Sequence, residues 1–181
     1  MKLSEPAFHY VCTHERAGEI IRGHDRFWIS NCGCRENRGK CNRSRNDVCL
    51  IFAADFPGSG SNKRKATLEE ANGILREAGE KHLVARPFRN EAKTGTEGIC
   101  FCCDDCCAYF LNPAEKCDRG ELVENTRQSE CNNCGECVDV CYFKARKLEG
   151  DRLVVAHDNC YGCGLCAEIC PEECIQLVSR T

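Results

Sequence analysis

The sequence has no long hydrophobic run. Its longest uncharged apolar stretch, residues 48–54, is seven residues long, whereas a helix that spans a membrane needs about 20 apolar residues. The first ten residues lack the apolar core of a secretory signal peptide. The sequence therefore predicts a soluble, cytoplasmic protein without a membrane segment, whose cysteines are reduced or bound to metal.

Recognisable catalytic and nucleotide-binding patterns are missing as well. The five histidines form no H-x-x-H pair, and no paired carboxylates or Ser-His-Asp order are found. The G-x-G in residues 57–62 has neither a strand-to-helix glycine fingerprint nor a following G-K-[ST], so it indicates a flexible connector. The basic stretch at residues 35–45 lacks aromatic side chains that could stack on bases, so no nucleic acid partner is expected.

Cysteine, in contrast, is abundant, at 20 of 181 residues. Eight of the cysteines form two C-x2-C-x2-C-x3-C runs between residues 131 and 170. Two such runs in tandem are the ligand pattern of two 4Fe–4S clusters, in which the fourth cysteine of each run binds the other cluster. Zinc ribbons use two C-x2-C pairs that are far apart, not four cysteines in eleven residues. The expected ligands are Cys131, Cys134, Cys137 and Cys170 for one cluster, and Cys160, Cys163, Cys166 and Cys141 for the other.

On these motifs, residues 127–181 resemble a bacterial two-cluster ferredoxin. The resemblance implies the pseudo-twofold ferredoxin fold and low-potential electron transfer. Tyr142 follows Cys141 where that family usually has proline, which would loosen the exit of the first loop, and Cys174 is expected to pack rather than to bind metal. This part holds nine acidic and six basic residues, a balance that either favours docking on basic patches of redox partners or keeps the module soluble.

The N-terminal half carries a second set of cysteines in two segments. Nine of them are candidate metal ligands: Cys32, Cys34, Cys41, Cys49, Cys100, Cys102, Cys103, Cys106 and Cys107. Packing alone gives little reason to bury so many thiols, so we expect them to hold one or two further iron–sulfur clusters, with tetrahedral zinc as the alternative. Their spacing does not indicate which of them combine. Cys12 and Cys117 stand alone and are expected to be small buried apolar residues.

The surroundings of these cysteines suggest how the thiols are presented. The five basic residues at 35–45 would lower the pKa values of neighbouring thiols and offset the charge of an anionic metal site. Asp47 is a candidate N-cap for a helix over residues 48–54, which would hold Cys49 in its first turn. If residues 100–107 are helical, their cysteines point in two directions, to two clusters or partly to packing and redox-active roles.

Local patterns predict an α+β protein. Thr13 is expected to cap a helix that ends near Arg22, residues 27–29 and 83–85 indicate strands, and a capping box at residues 67–70 predicts a helix that ends near Gly79. Residues 90–98 are expected to form a loop. We expect a small cysteine-rich α/β domain at residues 1–117 and a two-cluster ferredoxin domain at residues 118–181.

The pattern N-C-G-C-R, followed by Cys41, Cys49 and the I-C-F-C-C-D-D-C-C segment, also resembles a cysteine-rich domain of poorly characterised iron–sulfur proteins from anaerobes. This resemblance covers roughly residues 10–112 and implies additional clusters, but no substrate. The favoured function is an electron carrier, or an electron-wire subunit of a larger complex, that passes low-potential electrons to a partner redox enzyme. The alternatives are a reductase with a reactive N-terminal cluster and a maturation or activation protein for another metalloenzyme.

Overall fold

The computed structural model describes residues 5–112 and 115–180. Residues 1–4, the start of the segment that lacks a signal-peptide core, lie outside them. A seven-stranded sheet organises the N-terminal half. Its strands are β1 (His9–Tyr10), β2 (Phe27–Ser30), β3 (Cys49–Ile51), β4 (Arg64–Ala66), β5 (Val84–Arg89), β6 (Thr96–Cys102) and β7 (Cys117–Asp118). They lie in the order β4-β2-β3-β6-β5-β1-β7, and all neighbours are antiparallel except β1 and β7.

Two longer helices, α1 (His14–Arg22) and α3 (Leu68–Glu80), pack against each other and against this sheet. Both begin where capping was predicted: the Thr13 side chain accepts a hydrogen bond from Arg16, and Thr67 and Glu70 form a reciprocal capping box. Two shorter helices, α2 (Gly33–Arg38) and α4 (Ala108–Leu111), each follow a cysteine. The mixture of helices and strands confirms the α+β class.

The C-terminal part repeats one pattern twice. Its helices are α5 (Glu136–Asp139) and α6 (Leu165–Ile169), and its strands are β8 (Leu122–Thr126), β9 (Arg146–Glu149), β10 (Arg152–Val155) and β11 (Ile175–Ser179). β8 pairs with β11 and β9 with β10, both antiparallel. Gly135 and Gly164 precede the two helices with the same left-handed φ of 85°, a conformation that glycine adopts without strain.

One hydrophobic core runs through both halves. Val140, Tyr142 and Leu165 of the C-terminal part belong to the same buried cluster as Ile21 and Leu83 of the N-terminal half. The predicted boundary between residues 117 and 118 falls inside β7, and the two-domain division stays a prediction. In the described part of the chain, no helix is both long and apolar enough to cross a membrane.

Three local predictions were wrong. Residues 48–54 do not form a helix capped by Asp47, because Leu50 and Ile51 of β3 pair with Ile99 and Gly98 of β6. A short apolar run fits a buried strand as well as a buried helix. The predicted loop at residues 90–98 ends earlier, since β6 begins at Thr96. Residues 100–107 are not helical either: they comprise the end of β6 and a turn.

Candidate metal centres

Two cavities in the C-terminal part are each lined by four of the eight cysteines of the tandem runs. The first cavity is lined by Cys131, Cys134, Cys137 and Cys170, and the second by Cys141, Cys160, Cys163 and Cys166. Each cavity therefore takes three cysteines from one run and one from the other. This grouping is the one expected from the crossed pattern, while the ligand assignment itself stays a prediction.

The linings of the two cavities suit iron–sulfur clusters. Besides cysteines, the first contains Leu153 and the second Leu177, which exclude water. Backbone N–H groups donate to the sulfurs, from Asn133 to Cys131 at 3.4 Å and from Ala145 to Cys141 at 3.3 Å. Thiolate ligands with apolar surroundings and N–H donors are the environment that holds such clusters and tunes their potentials.

A buried arginine, which no sequence pattern singled out, lies beside both sets of cysteines. Arg146 donates from Nη1 to the sulfur of Cys137 at 3.1 Å, and its Nη2 contacts the carboxylate of Glu124. Burial alone would lower the pKa of Arg146, but the thiols of Cys166 and Cys137 and the carboxylate of Glu124 raise it. The side chain therefore keeps a positive charge where thiolate ligands gather.

The nine candidate cysteines of the N-terminal half form three groups, two of which adjoin, because Cys100 packs against Cys102 and Cys107. Contacts between thiols define a group of three, a group of four and a pair: Cys41, Cys103 and Cys106; Cys32, Cys34, Cys102 and Cys107; and Cys49 and Cys100. We call them the three-thiol group, the four-thiol group and the thiol pair. The pair lies across β3 and β6, one step beyond the Leu50 and Ile99 partners.

The end of β6 explains why adjacent cysteines join different groups. Successive side chains of a strand point to opposite faces, so Cys102 and Cys103 diverge at the strand end. In the turn that follows, the backbone N–H of Cys107 donates to the backbone carbonyl of Cys103 at 3.3 Å. This turn likewise directs the side chains of Cys106 and Cys107 to different groups. The segment presents thiols in two directions, as expected, although by a strand and a turn.

In each group, hydrogen bonds from neighbouring thiols lower the pKa of one member. The pKa of Cys34 is lowered by Cys107 and Cys32, that of Cys103 by Cys106, and that of Cys49 by Cys100. Because metals bind thiolates rather than thiols, all three groups offer donors suited to a metal.

Two buried guanidinium groups face these thiols. Arg35, from the basic stretch, is fully buried beside the three-thiol group. Arg86 of β5, which the sequence did not single out, lies 3.4 Å from the sulfur of Cys107 and 3.7 Å from that of Cys102 through its Nη1. Burial alone would lower the pKa of Arg86, but the neighbouring thiols raise it. The two cations offset thiolate charge.

Five aromatic residues connect the second cavity with the N-terminal thiols. We call Tyr109, Phe110, Tyr142, Phe143 and Tyr161 the aromatic layer. Phe143 and Tyr161 line the second cavity and stack with centroids 4.3 Å apart. Phe143 also packs with Tyr109, Cys102 and Cys107. The layer therefore packs against both the second cavity and the four-thiol group.

The remaining cysteines lie largely where packing was expected. Cys12 is buried in the shared core, and Cys117 is half-buried against Cys102 and Cys107. Cys174 is buried with its sulfur 3.6 Å from that of Cys170, and it also lines the first cavity. Its expected role in packing stays a prediction.

Comparison with known proteins places residues 130–174 in the family of the 4Fe-4S dicluster domain. An uncharacterised ferredoxin of Methanocaldococcus jannaschii is 40% identical over 24% of this chain and 73% of its own. Ferredoxin-3 of Nostoc is 34% identical over 30% of this chain and 75% of its own. The IorA subunit of indolepyruvate oxidoreductase from Archaeoglobus fulgidus is 30% identical over 39% of this chain but 11% of its own. No solved structure matches the chain.

The two ferredoxins are matched over most of their own lengths, and the matched family model falls on the segment that contains both cysteine-lined cavities. These findings support iron–sulfur clusters as cofactors and electron transfer as the role. The chain therefore belongs to the ferredoxin family, through a bacterial-type 4Fe–4S dicluster domain near its C-terminus.

Proposed function

We propose that this chain is an electron carrier or electron-wire subunit that passes low-potential electrons to a partner redox enzyme, and that its N-terminal half holds at least one further iron–sulfur cluster. One observation carries the proposal. The aromatic layer packs against the second cavity on one side and the four-thiol group on the other. Such continuous packing keeps the distance between redox sites short.

The residues that would hold the clusters form three sets. The first cavity offers Cys131, Cys134, Cys137 and Cys170, the second Cys141, Cys160, Cys163 and Cys166, and the four-thiol group Cys32, Cys34, Cys102 and Cys107. Bound clusters supply one-electron chemistry, which we expect towards the negative end of the range of about −700 to +450 mV. Arg146 and Arg86 place positive charge beside these thiols.

The exposure of the cysteines suggests where a partner docks. Cys134 of the first cavity is exposed, whereas Cys160 of the second is buried. The first cavity therefore lies nearer to an external donor or acceptor, and the second nearer to the aromatic layer. The match to a subunit of indolepyruvate oxidoreductase supports a place within a larger redox complex.

The experiment is to reduce the full-length chain with a low-potential donor under anoxia and to follow each centre by EPR spectroscopy, with iron and sulfide counted. Phe143→Leu, which opens the aromatic layer, is expected to slow reduction of the N-terminal centre while the two ferredoxin-type centres are still reduced. Phe27→Leu alters an aromatic contact with Phe52 away from the cysteines and is the matched control. Equal rates in all three proteins would contradict the proposed route.

A second function, a reductase, is favoured by one observation. The three-thiol group has one cysteine fewer than a fully thiolate-ligated centre requires. A centre with an open position can bind a substrate or another ligand. Turnover of a small molecule by the isolated chain would support the reductase over the electron carrier.

A further inference from the structure

The three-thiol group differs from the cluster-type sets in its compactness. Its sulfurs are 3.6 Å apart for Cys41 and Cys103, 3.4 Å for Cys103 and Cys106, and 3.4 Å for Cys106 and Cys41. Among the described residues, which include all 20 cysteines, it is the single group of three metal-binding side chains whose ligand atoms lie within 4.8 Å of one another. The cysteines around each ferredoxin-type cavity form no such triple.

These distances suit one metal ion rather than a cluster. With metal–sulfur bonds of about 2.3 Å, two thiolates on one tetrahedral ion have sulfurs roughly 3.8 Å apart. In a four-iron cluster each thiolate binds a different iron, so the body of the cluster separates the sulfurs. We infer that Cys41, Cys103 and Cys106 bind a single divalent metal ion, zinc or ferrous iron, separate from the iron–sulfur clusters.

The three cysteines are already held close together by the fold, without a bound metal. Cys103 and Cys106 lie in the turn that follows β6. Asp105, inside the same turn, accepts a hydrogen bond from the backbone N–H of Asn42 at 2.8 Å, which fixes the neighbouring Cys41 beside the turn. Cys103 and Cys106 are buried and Cys41 is half-buried, so a path from solvent passes beside Cys41. Preorganised ligands and a path of entry are both requirements of a metal site.

Arg35 supplies the charge that such a site needs. Three thiolates and a divalent ion together carry one negative charge, and Arg35 carries one positive charge. Its Nη1 and Nη2 donate to the backbone carbonyls of Arg45 at 3.0 Å and Phe101 at 2.9 Å. Its buried Nε has no hydrogen-bond partner among the described residues, and its charge interacts with the thiols of Cys32, Cys106 and Cys103. A buried charge is tolerated where an opposite charge compensates it.

The fourth tetrahedral position belongs to a ligand other than cysteine. Within residues 5–112 and 115–180, no fourth His, Cys, Asp or Glu ligand atom lies within 4.8 Å of all three sulfurs. Asp105 is the nearby carboxylate, and it is hydrogen-bonded to Asn42. The fourth position is therefore left open to a ligand from solvent. Zinc and ferrous iron share this thiolate chemistry, and elemental analysis distinguishes them.

The test uses the full-length chain purified under anoxia, with zinc, iron and acid-labile sulfide counted per chain. Cys103→Ala is expected to lose one equivalent of zinc or iron with no change in sulfide. Cys12→Ala, which removes a buried thiol outside the three groups, is the matched control and should keep every equivalent. Loss of several irons together with sulfide would show a cluster here and overturn the inference, as would an unchanged metal content.

A second measurement keeps the inference testable if Cys103→Ala fails to fold. Co²⁺ alone is added to the wild-type chain after a mild chelator has removed its singly bound zinc or iron, with sulfide counted to show that the clusters are retained. One equivalent of cobalt is expected, with the absorption bands of a tetrahedral cobalt thiolate. Absence of these bands would overturn the inference. Neither measurement involves electron transfer, so either claim can fail while the other stands.

Discussion

At the scale of single residues, Arg146 makes the sharpest prediction. Its side chain is 1% exposed, and it contacts Cys137 and the equally buried Glu124. Arg146→Leu leaves the Glu124 carboxylate buried with only Thr126 and the exposed His157 beside it, so we expect a loss of about 3 kcal/mol in the free energy of unfolding, the lower end for a broken buried pair. Loss of a positive charge beside thiolate ligands should also make the reduction potentials more negative. Denaturant unfolding and an EPR redox titration under anoxia measure the two effects.

The matched control for this prediction is Lys147→Leu, since Lys147 is the next residue of β9 and is exposed. It is expected to change stability by less than about 0.5 kcal/mol. The double substitution Arg146→Leu with Glu124→Leu should recover part of the loss, because no buried charge is then left unpaired. Equal stability of Arg146→Leu and Lys147→Leu would show that the buried pair is unimportant.

Tyr142 shows what a departure from a family pattern can mean. From the sequence alone, a tyrosine in the usual place of proline suggested a loosened loop. In the fold, Tyr142 is buried in the shared core, packs against Phe110, and lies under the guanidinium group of Arg43 at 4.9 Å. The tyrosine adds contacts with the N-terminal half that proline could not make. Its partners are distant in sequence, so the sequence could not indicate this role.

At the scale of elements, the sequence predicted the features that depend on residues close together in the chain. Helices α1 and α3 were predicted because Thr13 and Thr67 cap them from adjacent positions. The strand over residues 49–51 was mistaken for a helix because its apolar run is too short to have a period. The C-terminal cysteine runs were also predicted, because their spacing lies within short segments of the sequence. Cys41 and Cys103, 62 residues apart, meet only through tertiary packing.

The contact between α1 and α6 predicts a dependence on pH. His14 lies with Nδ1 2.9 Å from Glu168 and Nε2 2.8 Å from the carbonyl oxygen of Leu83. Burial alone would lower the pKa of His14, but the hydrogen bonds and charge of these partners outweigh it and raise the pKa above 6.5. The stabilisation is thus fully present below pH 6.5 and is lost as the pH rises through the raised value.

We therefore expect the free energy of unfolding to fall on going from slightly acidic to slightly alkaline pH, as measured by denaturant titration at several pH values. His14→Gln retains hydrogen bonding but cannot become charged, so its profile should be flatter over the same interval. Glu168→Gln removes the carboxylate that His14 contacts but keeps a hydrogen-bonding side chain, so it should flatten the profile in the same way. A profile for His14→Gln as steep as that of the wild type would assign the pH dependence to other groups.

At the scale of the whole molecule, the shared core predicts cooperative unfolding. Val140, Tyr142 and Leu165 pack with core residues of the N-terminal half, so separating the halves exposes apolar surface at about 25 cal/mol per Å². Thermal unfolding of the full chain under anoxia should show one transition by circular dichroism and by loss of the cluster absorbance. Two separated transitions would indicate that residues 1–117 and 118–181 are independent domains.

The unequal exposure of the cysteines has a consequence for handling the protein in air. Cys134 is open to solvent, while Cys160 and most of the N-terminal thiols are shielded by leucines, aromatic rings and the shared core. Oxygen should therefore attack the centre of the first cavity, the outer centre, before the inner centres of the second cavity and the N-terminal half. The brown colour should then bleach in two phases. The slow phase reports the inner centres, and we expect it to last longer when these centres are kept oxidised. Storage of the oxidised protein would therefore preserve the inner centres longest.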